Sequence, residues 1–252
     1  MLLIICPLCF LAGFVDSIAG GGGIISIPAY LIAGLPVHTA YGTNKFAMAI
    51  GTSASAGRFL IHGKVNLTAA LSAAPAALIG AYGGTRLALA LDERYLKAAL
   101  MIALPLIAIF LFTRRSFGCE PAVATIVPVS RIVPISLVAG LTIGAYDGFI
   151  GPGTGTFLIL IFTGLLHFDL IKASGTAKIV NLSSNIASLI TYFVNGKVLF
   201  AIGIPAALCT TLGNLLGSHL AINKGTRIIR PIIIMVLFLL FLRFLYDLQP
   251  FF

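Results

Sequence analysis

"DSIAGGGGIISIP" occupies residues 16–28, and "YDGFIGPGTGTFLIL" occupies residues 146–160. Each places an acid and then a glycine run inside a stretch otherwise apolar enough for lipid. Glycine in a helix interior costs about 1 kcal/mol relative to alanine. A backbone broken inside hydrocarbon also frees N–H and C=O groups that lipid cannot satisfy, so it survives only where protein or a water-filled cavity surrounds it. The two stretches therefore read as deliberate breaks in membrane helices, and the fold follows from how often they recur.

The surrounding composition agrees. Of 252 residues, 59% are hydrophobic and 9% charged, with a mean hydropathy of +1.10. Soluble domains carry roughly 25% charged residues, which leaves little room for one here. Polar and Pro/Gly breaks divide the chain into about eight apolar segments, at roughly 2–33, 39–62, 66–90, 94–113, 132–166, 172–195, 198–222 and 227–247. Most lie near the ~20 residues that span a bilayer. Open sheet edges are excluded from hydrocarbon, so the expected class is an all-α polytopic membrane protein with about eight transmembrane helices. The formal net charge of +9 comes from scattered basic residues with no nucleic-acid-binding pattern, so no nucleic acid partner is expected. Lysines and arginines in short loops set orientation, but here they divide too evenly between the two sides to assign one.

The cysteines, Cys6, Cys9, Cys119 and Cys209, read as small buried hydrophobes. "CPLC" at 6–9 has no redox-fold context. The apolar N-terminus lacks a basic n-region, and cleavage near "SIAG" would remove a feature that recurs later, so it is read as a mature helix.

The recurrence is an internal repeat. Asp16 matches Asp147 and Gly20 matches Gly151, both 131 positions on. At an offset of 133, "GTNK" (42–45) matches "GTAK" (175–178), "HGKV" (62–65) matches "NGKV" (195–198), and "GAYGGTRLA" (80–88) matches "GNLLGSHLA" (213–221). The expected organisation is a first repeat over 1–113, a linker over 114–131 and a second repeat over 132–252, together forming one transport domain. Each repeat would hold four helices, the first of them glycine-broken. If the broken segment crosses, the halves run parallel; if it dips in and returns, they are inverted. Residues 2–19 would rise about 27 Å as a helix, which favours a crossing followed by a tilted or re-entrant piece.

Several residue sets could carry chemistry. Gly20, Gly21, Gly22 and Gly23 leave the backbone open to a close ligand. A helix restarting near Ile24 would aim its N–H groups and positive dipole end into the gap. Gly151, Gly153, Thr154 and Gly155 repeat this logic, with Pro152 to start the helix. The alternative is close helix packing through small residues.

Lys45 and Lys178 each follow Gly-Thr and open a long apolar helix. Charges within a span mark solute pathways by default, although lysines at helix ends can also snorkel. The face carrying Lys178 also carries Asn181, Asn185 and Ser188, while that of Lys45 carries Met48, Thr52 and Ser55. A polar stripe on an apolar helix reads as a cavity lining. Asp16 and Asp147 would either pair with these lysines or titrate as coupling groups after desolvation. Gly80, Gly84 and Ala88, like Gly213, Gly217 and Ala221, have small-xxx-small spacing for helix contact. Arg86 and His219 read as interfacial, and "DERYLK" (92–97) as a solvated turn. No nucleophile elbow, phosphate loop or metal spacing is present, so neither enzyme activity nor a cofactor is expected.

These motifs, in this order and duplicated, resemble the sulfite exporter TauE/SafE family, from about Leu11 to Leu245. The resemblance implies duplicated four-helix units and transport of small anions such as sulfite and organosulfonates. It carries the site to the two glycine runs and to Thr43, Asn44 and Lys45, with Thr176 and Lys178 in the second copy. The expected protein is a secondary anion transporter in the cytoplasmic membrane of a prokaryote. Its partners would be a small anionic solute, the lipid bilayer and, if the acids titrate, a coupling proton. A passive channel and a non-transporting scaffold are the rival readings.

Overall fold

The computed structural model describes residues 1–92, 95 and 127–248, and all regular structure among them is helical. Helix α1 (Leu2–Ala19) stops where the glycines begin, with Gly20 in the left-handed region at φ 77°. After three residues α2 (Gly23–Ile32) restarts, one position ahead of Ile24. Then follow α3 (Val37–Ile61) and α4 (Leu67–Ala90). In the second half α5 (Val129–Phe149) breaks at the glycine run and α6 (Thr154–Leu166) restarts with Gly153 as its cap. The series ends with α7 (Leu170–Val194), α8 (Phe200–Lys224) and α9 (Thr226–Leu248).

The helix starts have local causes. The side chain of Asn66 caps α4 by accepting from the Ala69 N–H, and Asp169 caps α7 by accepting from Lys172. Such caps satisfy otherwise orphaned donors. Helix α5 already begins at Val129, so its first three residues fall inside the expected linker. Apart from Tyr95, the expected span at 94–113, the "DERYLK" turn beyond Asp92 and most of the linker lie outside the described residues.

Small residues set the helix pairing. In α5, Gly140, Gly144 and Gly148 lie against the backbone of Ala73, Ala77 and Ala81 in α4. In α8, Gly213 and Gly217 lie against Phe10 and Phe14 of α1. The expected helix-contact role of Gly80, Gly84, Gly213 and Gly217 is met, since a Cβ at any of them would strike the neighbouring helix backbone. Lipid supplies no hydrophobic drive between helices, so close backbone approach is what holds them. Gly148→Val should therefore sharply reduce monodisperse protein in detergent. Gly83→Val, with open space around the position, should not. Equal behaviour of the two variants would refute the contact.

The same contacts give helix directions. Residue numbers rise together along α4 and α5 and along α1 and α8, so each pair is parallel. They also rise together along α3 and α8, where Gly51 meets Thr210, Ser55 bonds Asn214 at 2.8 Å and Arg58 meets His219 at 3.0 Å. Likewise α4 and α7 share Asn66–Thr176 and Thr85–Ser188 bonds of 2.9 and 3.0 Å. By contrast α3 and α7 oppose each other, with Gly42 beside Tyr192 and Gly175 beside Phe59. So α1, α3 and α8 point one way, and α4, α5 and α7 the other. Elements matched by sequence (α1 with α5, α3 with α7, α4 with α8) thus run in opposite directions.

The glycine-broken segments turn back on themselves. Gly22, which caps α2, lies beside Ala12 and Asp16, and Tyr30 within α2 takes a hydrogen bond from Cys9 at 3.4 Å, so α2 descends along α1. In α6, Thr154 bonds Asp147 and the Phe157 ring meets Tyr146 at 5.4 Å. A helix long enough to cross followed by a re-entrant piece is thus found in each half, but the returning piece makes the segment a hairpin, so the halves do not run parallel. The physical reason for the hairpin is the left-handed glycine, which reverses the chain at little steric cost. The two hairpins come from opposite sides and touch at their tips. Gly155 donates its N–H to the Gly20 carbonyl at 3.2 Å, and the Thr156 hydroxyl bonds the Ala19 carbonyl at 2.7 Å.

Four of the described helices, α1, α4, α5 and α8, are long and apolar enough to cross a membrane. Their outer faces expose large apolar side chains, among them Ile204, Leu208, Leu212 and Leu216 at one-turn spacing on α8. This is the surface expected of an integral membrane protein.

Candidate functional site

Where the hairpins pass, the polar residues converge. Lys45 and Lys178 are 2% and 0% exposed, and Asp16 and Asp147 are each 3% exposed. That depth excludes the snorkelling alternative, because a snorkelling lysine keeps its head in water. Lys45 Nζ donates to Asp147 Oδ2 at 2.6 Å and to Asn185 Oδ1 at 3.0 Å. Lys178 Nζ donates to Asp16 Oδ2 at 3.0 Å and also to the Asp16 carbonyl. Each lysine thus pairs with the acid of the other half. A buried charge demands a partner of opposite sign and further hydrogen bonds, and the antiparallel halves supply both.

A small polar cavity of about 20 Å³ lies between the hairpins. Its walls are Asp16, Gly20, Gly23, Ile27, Asn44, Lys45 and Met48 from the first half, with Asp147, Gly151, Thr154, Asn181 and Asn185 from the second. A space of that size holds roughly one water-sized guest, so a polyatomic solute enters only when the hairpins part. Gly23 and Thr154 are the first residues of α2 and α6, so the positive ends of two short helices reach the wall.

The remaining predicted residues lie elsewhere. Gly21 packs on Val236, and Gly22 on Ala12 and Asp16. Gly153 holds the left-handed cap of α6 at φ 83°. Gly155 is spent on the contact with Gly20, and Thr52 approaches Asp16 only at 3.4 Å. Thr43 and Thr176 have a shared architectural role. The Thr43 hydroxyl accepts from the Leu199 N–H at 3.1 Å, and Thr176 accepts from the Asn66 N–H at 2.9 Å. Beside them, Gly42 and Gly175 abut the carbonyls of Lys197 and Lys64. Each Gly-Thr therefore seats the Gly-Lys-Val turn of the opposite half, while the lysine two positions on reaches the interior.

Sequence reasoning missed Ser184, which donates to Asp147 Oδ2 at 2.7 Å, and Ser26, which donates to Asn44 Oδ1 at 2.7 Å. Ser184 sits three residues after Asn181, and one more step along the polar stripe would have found it. Ser26 carried no such signal. The asymmetry of Asn44 against Ala177 also acquires a place: Asn44 lines the cavity, whereas Ala177 is buried in the hydrophobic core.

The family model described as Sulfite exporter TauE/SafE matches residues 5–244. Among curated relatives, "Probable membrane transporter protein ORF9" of Sinorhizobium sp is 38% identical over 94% of this chain and 90% of its own length. "Probable membrane transporter protein YfcA" of Escherichia coli K12 is 36% identical over 94% and 87%. "Probable membrane transporter protein YdhB" of Bacillus subtilis is 23% identical over 86% and 88%. No solved structure matches. The chain belongs to the sulfite exporter TauE/SafE family, whose members are named as membrane transporters and not as enzymes.

Proposed function

We propose that this TauE/SafE-family protein is a secondary transporter of small anions, with sulfite, organosulfonates and related sulfur oxyanions as its substrate class. It would act in the cytoplasmic membrane of a prokaryote, in the export direction. The observation that carries the reading is Lys45. It is a cation buried at the wall of a polar cavity within an apolar helix bundle, and the starts of two short helices meet there. A buried lysine and helix N-termini both favour an oxyanion. Asn44, Asn181 and Asn185 supply amide groups that orient its oxygens.

Two features favour a carrier over a channel. The cavity has room for little more than a water molecule, and both lysines are engaged by carboxylates, so a solute passes only if the pairs and the hairpins rearrange. Matching hairpins that enter from opposite sides provide two equivalent gates, as inverted repeats do in alternating access.

The test is flux in proteoliposomes loaded with sulfite, sulfate, sulfoacetate, taurine or acetate. Saturable flux with counterflow of a sulfur oxyanion is expected. Flux that is absent for every solute, under both a pH gradient and a voltage, overturns the reading. Non-saturating flux without counterflow replaces it with a channel.

A further inference from the structure

The two ion pairs correspond in sequence but differ in surroundings. Lys178 is fully buried, is held by both the carboxylate and the carbonyl of Asp16, and forms no part of the cavity wall. Lys45 is in the wall, and so are both acids. A solute anion entering there meets one lysine between two carboxylates.

The four charges sum to zero, so an added anion leaves the buried cluster negative. Two like charges 4 Å apart repel by about 4 kcal/mol at an effective dielectric of 20. Protonating one carboxylate removes that cost for a monoanion and halves the excess charge for a dianion.

The geometry points to Asp147 as the acid that takes the proton. The Ser184 hydroxyl lies 2.7 Å from Asp147 Oδ2 and 2.9 Å from the Asn181 carbonyl. The Thr154 hydroxyl lies 2.8 Å from Asp147 Oδ1 and 2.7 Å from the Gly151 carbonyl. Each hydroxyl has one hydrogen and two acceptors. While Asp147 is ionised, the hydrogens point at the carboxylate. Once it is protonated they turn to the carbonyls, and no buried donor is orphaned. Lys45 keeps Asn185 as a partner throughout. Asp16 has no such arrangement: its carboxylate is met by Lys178 and, at 3.4 Å, by Thr52.

We infer that the anion displaces Asp147 from Lys45 while Asp147 takes up one proton from water, so that anion and proton bind together and Asp16–Lys178 stays an ionised structural pair. The inference rests on the anion-transport reading above. The titratable groups around Asp147 are Lys45 from α3, Asp16 of α1 across the cavity, the adjacent Tyr146 and Tyr192 of α7. From α4 and α6 the nearby polar groups are the hydroxyls of Thr85 and Thr154.

The experiment uses the full chain in proteoliposomes, with voltage held at zero by potassium and valinomycin. Labelled sulfoacetate is the anion, because it does not titrate near neutral pH, and an internal dye reports protons. With one proton per anion, a pH gradient of one unit should concentrate sulfoacetate about tenfold on the alkaline side, and sulfoacetate entry should acidify the lumen. Asp147→Asn should lose both accumulation and acidification, and any sulfoacetate exchange that remains should no longer depend on pH.

Wild-type sulfoacetate flux that moves no protons, or that follows a sodium gradient instead, overturns the inference and leaves the transport reading standing. Persistence of proton-linked accumulation in Asp147→Asn also overturns it. Absence of all anion flux in the wild type removes both. If Asp147→Asn does not fold, the wild-type accumulation and dye signals decide coupling. Ser184→Ala, which removes one switching hydroxyl, should then shift the pH midpoint of flux, and an unmoved midpoint overturns the assignment to Asp147.

Discussion

Lys178→Met should abolish accumulation of folded protein, whereas Lys45→Met should abolish flux and leave a recoverable fold. Both changes delete a buried cation, but what they leave behind differs. Without Lys178, the Asp16 carboxylate stays 3% exposed with only a distant hydroxyl. Breaking a buried pair from one side costs about 3–5 kcal/mol, a large part of the 5–15 kcal/mol that holds a typical domain together. Without Lys45, Asp147 keeps the hydroxyls of Ser184 and Thr154 at 2.7 and 2.8 Å, whereas Asp16, on the same cavity wall, has only the Thr52 hydroxyl at 3.4 Å. Thermal unfolding in detergent and membrane yield measure the first difference, and proteoliposome flux the second. Adding Asp16→Asn to Lys178→Met should restore much of the yield, because the orphaned charge is then gone. If Lys178→Met is as stable as wild type while Lys45→Met is not, the division between a structural and a working lysine is wrong.

The second large effect is expected at the hairpin tips. Gly20→Val should eliminate transport and lower the unfolding temperature well below that of Gly34→Ala. Both glycines have positive φ, 77° and 87°, and a residue with a Cβ pays about 1–2 kcal/mol to hold that conformation. They differ in space. Nothing lies within 4 Å of a Cβ at Gly34, whereas a Cβ at Gly20 would occupy the backbone of Gly155. The valine must therefore drive the two hairpins apart, breaking the Gly155–Gly20 and Thr156–Ala19 bonds and opening the wall that holds Lys45. Equal unfolding temperatures for Gly20→Val and Gly34→Ala would show that the tip contact carries no energy.

Much of this was legible along the chain. The breaks fall at Gly20 and Gly151 because glycine and the exclusion of water from lipid act locally. Asp16, Asp147, Lys45 and Lys178 were identifiable because a charge in an apolar stretch is costly wherever the stretch lies. Thr43 and Thr176 show the limit. Adjacent to the lysines and identical in both copies, they look like ligands, yet their hydroxyls serve turn amides 156 and 110 residues away. Helical length gave only part of the answer: α1 is long enough to cross, as its 18 residues imply, but only the packing of α2 against it shows that the chain turns back.

What the sequence determined by itself was therefore everything set by neighbours along the chain: helical class, membrane setting, the positions of the breaks and the charges to be buried. Tertiary structure decided the pairings. Lys45 meets Asp147 across 102 positions and Lys178 meets Asp16 across 162, because the halves run oppositely and each hairpin tip lies against a helix of the other half. It also decided that Lys45 opens on the cavity while Lys178 does not. Two nearly identical Gly-Thr-x-Lys motifs cannot encode that difference locally; it arises from the groups that close packing places around each ammonium.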